Sequence, residues 1–152
     1  MRVAFFDVDG VLTDGGMYVS EKGDQMKRYH THDGLALLEL GKSKKLTLGI
    51  LSSGFTEHMV HDRATLLGIE HVYVGREPKL DILNIWCAEL GYSLDEVAII
   101  GDDLNDLPVM QAVGLAVCPA SAVSKVKSVA DIILSRKGGD ACVREFIDNY
   151  LQ

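Results

Sequence analysis

Apolar residues fall in short runs along this chain, separated by turn residues. Val3–Phe6 comes first, and Leu46–Leu51, His71–Val74, Val97–Ile100, Leu115–Val117 and Ile132–Leu134 follow. Runs of this length, bounded by Gly, Asp and Ser, read as strands buried on both faces. Between them the spacing predicts helices over Gly34–Leu40, Thr56–Leu67, Pro78 to just before Gly91, Leu107–Val113, Ser121–Val129 and Ala141–Leu151. Asp33 is expected to cap the first helix, Gly41 to end it, and Gly68 to close the second. Met17–Ser20 and Gln25–Tyr29 flank a Gly-containing turn, Glu21–Asp24, which signals a β-hairpin. The strand–helix alternation predicts an α/β fold, a three-layer doubly wound parallel sheet. The hairpin should hang as a flap over the edge where the first strand ends.

Length and composition narrow the class. A chain of 152 residues suits one domain with a sizeable core, so residues 1–152 are expected to form a single unit. A formal net charge of −7 disfavours nucleic acid or an anionic membrane surface as the main partner. No apolar run approaches the roughly 20 residues of a membrane span, and the first strand begins directly after Met1-Arg2, with no leader pattern. Cys87, Cys118 and Cys142 are odd in number and lack CxxC spacing, which fits reduced, buried thiols and a cytoplasmic location.

Candidate chemistry gathers where strands should end. Asp7 and Asp9 follow the first strand, Ser52 the second, and Asp102, Asp103 and Asp106 the fourth, while Lys79 opens a helix. In open α/β sheets such ends converge on one edge, where ligands bind. Two adjacent acids repel without a cation, so Mg²⁺ is the natural partner for Asp7 and Asp9. Gly10 lets the chain turn sharply and Thr13 can hold that turn. An EF-hand is disfavoured because Val11 stands where that loop wants Asp or Asn. Singly, each residue has a plain reading: an acidic turn, a turn hydroxyl, a solvated lysine, an acidic helix start. Their order along the chain is what points to phosphoryl transfer.

The stretch DVDGVLTDG (7–15) resembles the first motif of the haloacid dehalogenase superfamily. KRYHTHDG (27–34), Lys79, GDDLNDLPVM (101–110) and KGGDACVREF (137–146) extend the resemblance over nearly the whole chain. No large insertion separates Asp9 from Ser52 or Ser52 from Lys79, so the chain is similar to the capless members. Among these it looks like the phosphatases of 3-deoxy-manno-octulosonate (KDO) 8-phosphate and of nonulosonate 9-phosphates, sugar acids of the sialic-acid type. The resemblance implies that Asp7 is the nucleophile and Asp9 the general acid/base. It implies Mg²⁺ on Asp7, the main-chain carbonyl of Asp9, and Asp102. Ser52 and Lys79 would contact the phosphoryl group, with Asp103 and Asp106 completing the metal shell through water or orienting Lys79. It further implies a homotetramer in which hairpins pack together and neighbours cover each active site. The tail at Gly138-Gly139-Asp140 is expected to be flexible enough to reach a site, with Arg144 as a candidate anion contact.

The resemblance has departures. The family usually places Thr-Gly and then Arg or Glu after the second strand, where this chain has Ser52-Ser53-Gly54-Phe55. Ala141 replaces a Gly, and Pro78 stands where Asp commonly precedes the lysine. Two rival functions follow. A response-regulator receiver also gathers acids, a hydroxyl and a lysine, but in a different order. A non-catalytic oligomerisation module associated with a sugar cytidylyltransferase would have lost some of the residues present here. The pairs His30/His32, alternating along a strand, and His58/His61 have metal-like spacing but no carboxylate or thiol partner nearby, so surface or subunit contacts are expected. Trp86 and Tyr92 read as core or interface aromatics.

Overall fold

The computed structural model describes residues 1–151. Its main sheet has six parallel strands: β1 (Val3–Phe6), β4 (Thr47–Ser52), β5 (His71–Val74), β6 (Val97–Ile100), β7 (Leu115–Cys118) and β8 (Ile132–Ile133). Their order is β5-β4-β1-β6-β7-β8. The chain steps outward from β1 to β4 and β5, then returns to lay β6 on the other side of β1. The order therefore reverses between β1 and β6, with Phe6 level with both Ile50 and Ile100.

Both faces of this sheet are covered, which explains the unbroken apolar runs. Ala4, Phe6, Ile50 and Ile100 face one layer, with α1 (Thr31–Ser43), α2 (Glu57–Leu67) and α6 (Cys142–Tyr150). Val3, Phe5, Leu51 and Ile99 face the other, with α3 (Lys79–Leu90), α4 (Leu107–Met110) and α5 (Ser124–Lys127). Trp86 belongs to this second layer and stacks on Phe5 at 5.3 Å between ring centroids. No helix among the described residues is long and apolar enough to cross a membrane.

The elements differ from expectation at their ends. Helix α1 starts at Thr31, not Gly34, because the His30 side chain serves as its cap: His30 Nδ1 accepts the His32 N–H at 3.1 Å. His30 and His32 therefore lie at a helix start, not along a strand. Asp33, the expected cap, reaches across instead to α6, where its Oδ1 accepts the Arg144 N–H at 2.7 Å. Gly34 and Gly41 both lie inside α1, where a side chain at Gly34 would strike the Arg63 guanidinium. The hairpin is shorter than its pattern suggests, with β2 (Tyr18–Val19) and β3 (Gln25–Met26) two residues each. Helices α4 and α5 are single turns: a 3-10 turn, Leu104–Asp106, leads into the first, and the second starts at Ser124.

Candidate active site

Asp7 continues the β1 ladder by one bond, its N–H donating to the Ile100 carbonyl at 3.0 Å. The chain then makes a wide turn, Val8–Leu12, closed by Thr13 N–H on the Val8 carbonyl at 3.0 Å. Gly10 makes the turn possible: its φ is 91°, and a Cβ there would overlap the Asp102 carboxylate. Thr13 Oγ1 accepts from the N–H groups of Gly10 and Gly15 at 3.3 and 3.2 Å. This turn holds Asp7 and Asp9 against the loop after β6.

Lys79 rises from the start of α3 into the middle of the acids, with its side chain only 2% exposed. Its Nζ lies 2.9 Å from Asp7 Oδ1 and 2.6 Å from Asp106 Oδ1. Asp106 Oδ2 in turn accepts the N–H groups of Asp102 and Asp103 at 2.9 and 3.3 Å, so it ties the β6 loop to Lys79. Asp103 caps the following turn through the Leu104 N–H at 2.7 Å. Ser52 is buried at the end of β4. Asp7, Asp9, Ser53, Gly54, Asp102, Asp103 and Asn105 line a cleft of about 150 Å³ above this cluster. The structure thus brings together Asp7, Asp9, Asp102, Asp103, Asp106 and Lys79, with Ser52 beneath the cleft wall.

Burial dominates the electrostatics. Loss of hydration pushes the Asp7 carboxyl up to about 8 against the pull of Lys79. Burial, then the charges of Asp106 and Asp103, push Asp102 up to about 7. Lys79 is held above its ordinary value because Asp7 and Asp106 outweigh the cost of its burial. Three carboxylates, those of Asp7, Asp102 and Asp106, each offer an oxygen within 4.8 Å of the others, and the one ammonium among them, Lys79, pairs with Asp7 and Asp106. Asp102 Oδ1 is buried without a hydrogen-bond partner. An all-oxygen set with excess negative charge and an orphaned carboxylate oxygen fits a hard divalent cation.

A family described as haloacid dehalogenase-like hydrolases matches residues 71–146. The 3-deoxy-D-manno-octulosonate 8-phosphate phosphatase of Escherichia coli K12 is 35% identical over 148 residues, 97% of this chain and 78% of that protein. The chain belongs to the haloacid dehalogenase-like hydrolases. A probable YrbI family phosphatase from Pseudomonas syringae pv. phaseolica 1448a superposes with a TM-score of 0.93 at 42% identity, covering 97% of this chain and 83% of that one. The Moraxella catarrhalis 3-deoxy-D-manno-octulosonate 8-phosphate phosphatase, solved with magnesium, phosphate and KDO, superposes at 0.89 and 34% identity over 95% and 82%. Within the haloacid dehalogenase-like hydrolases, this chain is a capless phosphoric monoester hydrolase, with a carboxylate set, Asp7, Asp102 and Asp106, able to hold a metal ion.

The tail lies elsewhere than expected. Gly138 and Gly139 form no free arm but pack under the first motif: a side chain on Gly138 would overlap the Gly10 carbonyl, and Gly139 N–H donates to the Val11 carbonyl at 3.0 Å. They support the Asp7–Thr13 turn from behind because the close backbone approach leaves no room for a Cβ. Arg144 lies on α6, paired with Asp148 at 2.6 Å and not among the cleft residues. Lys27, the first residue of the KRYHTHDG stretch but given no site role from the sequence, reaches Asp9 Oδ1 at 2.5 Å from the base of the hairpin. Asn105 and Ser53, which lie in stretches the sequence singled out but were not named as site residues, hydrogen-bond at the cleft wall, Asn105 Nδ2 donating to Ser53 Oγ at 3.0 Å. Their stretches carried the resemblance or departed from it, but nothing in the spacing of Lys27, Ser53 or Asn105 tells which atom each would meet before the fold is known.

Proposed function

We propose that this protein hydrolyses the phosphate ester of a 2-keto-3-deoxy sugar acid, KDO 8-phosphate or a nonulosonate 9-phosphate, through an aspartyl-phosphate on Asp7. The observation that carries this is Asp7 held by Lys79 at the reversal of strand order, beside a carboxylate set built for a cation. The likeness to phosphatases of KDO 8-phosphate supports the substrate class.

Asp7 Oδ1 is engaged by Lys79 and by the Val8 N–H at 2.7 Å, leaving its second oxygen to attack phosphorus. As the ester P–O bond breaks, its electron pair stays on the leaving oxygen, which takes a proton from Asp9. Asp9, now a carboxylate, removes a proton from the water whose oxygen attacks the phosphoryl group, releasing phosphate and the Asp7 carboxylate. Ser52 and the remaining N–H of Lys79 contact the phosphoryl oxygens. Asp7, the main-chain carbonyl of Asp9 and Asp102 would hold Mg²⁺, which when bound supplies positive charge opposite those oxygens. Asp103 and Asp106 keep the β6 loop and Lys79 in place.

The chain works as a single unit over residues 1–152, in the cytoplasm, as a homotetramer. Three free, buried cysteines support the location. Met17, Val19 and Met26, at 79%, 56% and 67% exposed on the hairpin, support assembly. Light scattering checks the tetramer, and a fully active monomer at micromolar concentration refutes it. Phe55, 76% exposed beside the cleft with the Arg76 guanidinium 4.5 Å over its ring, makes the sugar the open choice. Steady-state assays of KDO 8-phosphate against nonulosonate 9-phosphates, with Mg²⁺, decide it. Asp7→Asn should leave the fold intact and reduce kcat by at least about 10³-fold. Retention of wild-type kcat would refute the assignment of Asp7, and no turnover by the wild type would favour the non-catalytic module.

A further inference from the structure

Lys27 ends the hairpin and sits 18 residues along the chain from Asp9, yet its Nζ donates to Asp9 Oδ1 at 2.5 Å. Its side chain is 12% exposed, whereas lysine is ordinarily among the most solvated residues. The two oxygens of Asp9 therefore have separate surroundings. Oδ1 is turned to Lys27, while Oδ2 faces the cleft, 3.3 Å from where a Cβ on Gly54 would stand, with Ser52 Oγ 3.4 Å from the same point. Asp9 needs such an anchor. It lies in a non-helical part of the turn, at φ −74° and ψ 114°, and its side chain is 45% exposed.

We infer that Lys27 is a positioning residue: by gripping Asp9 at Oδ1, it presents Oδ2 to the oxygen of the leaving group. This rests on the acid/base role proposed for Asp9. A displacement of about 1 Å in a reacting group costs on the order of 10²-fold in rate, and general acid catalysis contributes about 10²–10⁴-fold. The grip also links the acid/base to the hairpin. That hairpin has two-residue strands with exposed side chains, and its base is tied down by Lys27, by Arg28 Nη1 on the Gly139 carbonyl at 3.3 Å, and by Tyr29 against the core.

The test compares leaving groups in the full-length protein with Mg²⁺. A sugar phosphate leaves as an alkoxide that needs a proton, whereas p-nitrophenyl phosphate leaves as a phenolate that needs little help. kcat/KM covers the steps through formation of the phosphoenzyme. Lys27→Met should lower kcat/KM on the sugar phosphate by about 10²-fold and on the aryl phosphate by less than about fivefold. Lys27→Arg should recover part of the loss. Lys27→Gln serves the same comparison if Met at this position unfolds the chain. Equal losses on both substrates, or no loss, would overturn the inference. Asp9→Asn is the control. If it shows no dependence on the leaving group, the acid/base assignment fails; if it does and Lys27→Met does not, only the role of Lys27 fails.

Discussion

Replacing Lys79 by Met keeps the length of the side chain and removes its charge. Lys79 is 2% exposed and bonds Asp7 at 2.9 Å and Asp106 at 2.6 Å, so the variant leaves two buried carboxylates without their counter-ion. Breaking a buried pair in this way costs about 3–5 kcal/mol. For a chain of this size each kcal/mol shifts Tm by about 2–4 °C, so the metal-free variant should melt roughly 6–20 °C lower at pH 8. The deficit should depend on pH. Asp7, already raised to about 8 from an ordinary 3.8, holds a proton in the folded state that the unfolded chain releases above about pH 4. Its contribution favours the fold at low pH and disappears as pH rises through about 8. Without Lys79 the charge that restrains this rise is gone, so Asp7 stays protonated to higher pH. The variant is penalised least at pH 5 and most at pH 8. Circular dichroism melts in EDTA at both pH values check this. Equal deficits at the two pH values, or a deficit below about 1 kcal/mol at pH 8, would refute the reasoning.

Mg²⁺ at 100 times its Kd should stabilise the wild type by about 2.7 kcal/mol, a rise of about 5–10 °C in Tm over EDTA. The gain should be larger at pH 8 than at pH 5, since protons on Asp7 and Asp102, raised to about 8 and 7, compete with the metal; identical melts in EDTA and Mg²⁺ would contradict the site. Ala141 is buried in the left-handed region at φ 64°, directly before α6. Ala141→Gly should relieve about 1 kcal/mol of strain and raise the urea midpoint; an unchanged or lower midpoint would show that the backbone is not strained there.

The sheet was legible because its inner strands are buried on both faces, β1 and β6 along their whole length and β4 and β7 at all but one residue each, and a run such as Val97–Ile100 has few other readings. The acids and Lys79 were legible because a parallel sheet sends strand ends to one edge, whatever the intervening sequence. What stayed hidden depends on contacts between distant segments. Asp33 looks like a cap for its own helix, but its carboxylate lies nearer the start of α6, and histidine takes the cap by proximity. Gly138 and Gly139 look flexible in isolation; only the close approach of the Gly10 and Val11 backbone shows that they are packing elements. Lys27 opens a stretch that carries the resemblance, but its partner, Asp9, shows only when the hairpin folds back.

An acidic protein that binds a phosphate must solve a local charge problem, and the strand-end edge shows how the work is divided. Lys79 enters from beneath and neutralises part of the Asp7–Asp102–Asp106 set. Lys27 enters from the hairpin and engages Asp9 alone. Neither lysine bonds Asp102, whose Oδ1 is the buried oxygen without a partner. The positive charge still needed is therefore localised between Asp7 and Asp102, facing the cleft where a phosphoryl group would lie. A third lysine could balance the charge there, but a divalent cation can take several oxygen ligands at once and still keep positions for phosphate oxygens. On the proposed function, the two lysines would hold the carboxylates in separate roles, one set around the metal and one at the leaving group. The hairpin carries the second of these lysines on a pair of two-residue strands with apolar side chains in solvent. Covering those side chains with a second copy of the chain would fix Lys27, and through it the proton donor, so assembly and the chemistry of the leaving group would be coupled at one side chain.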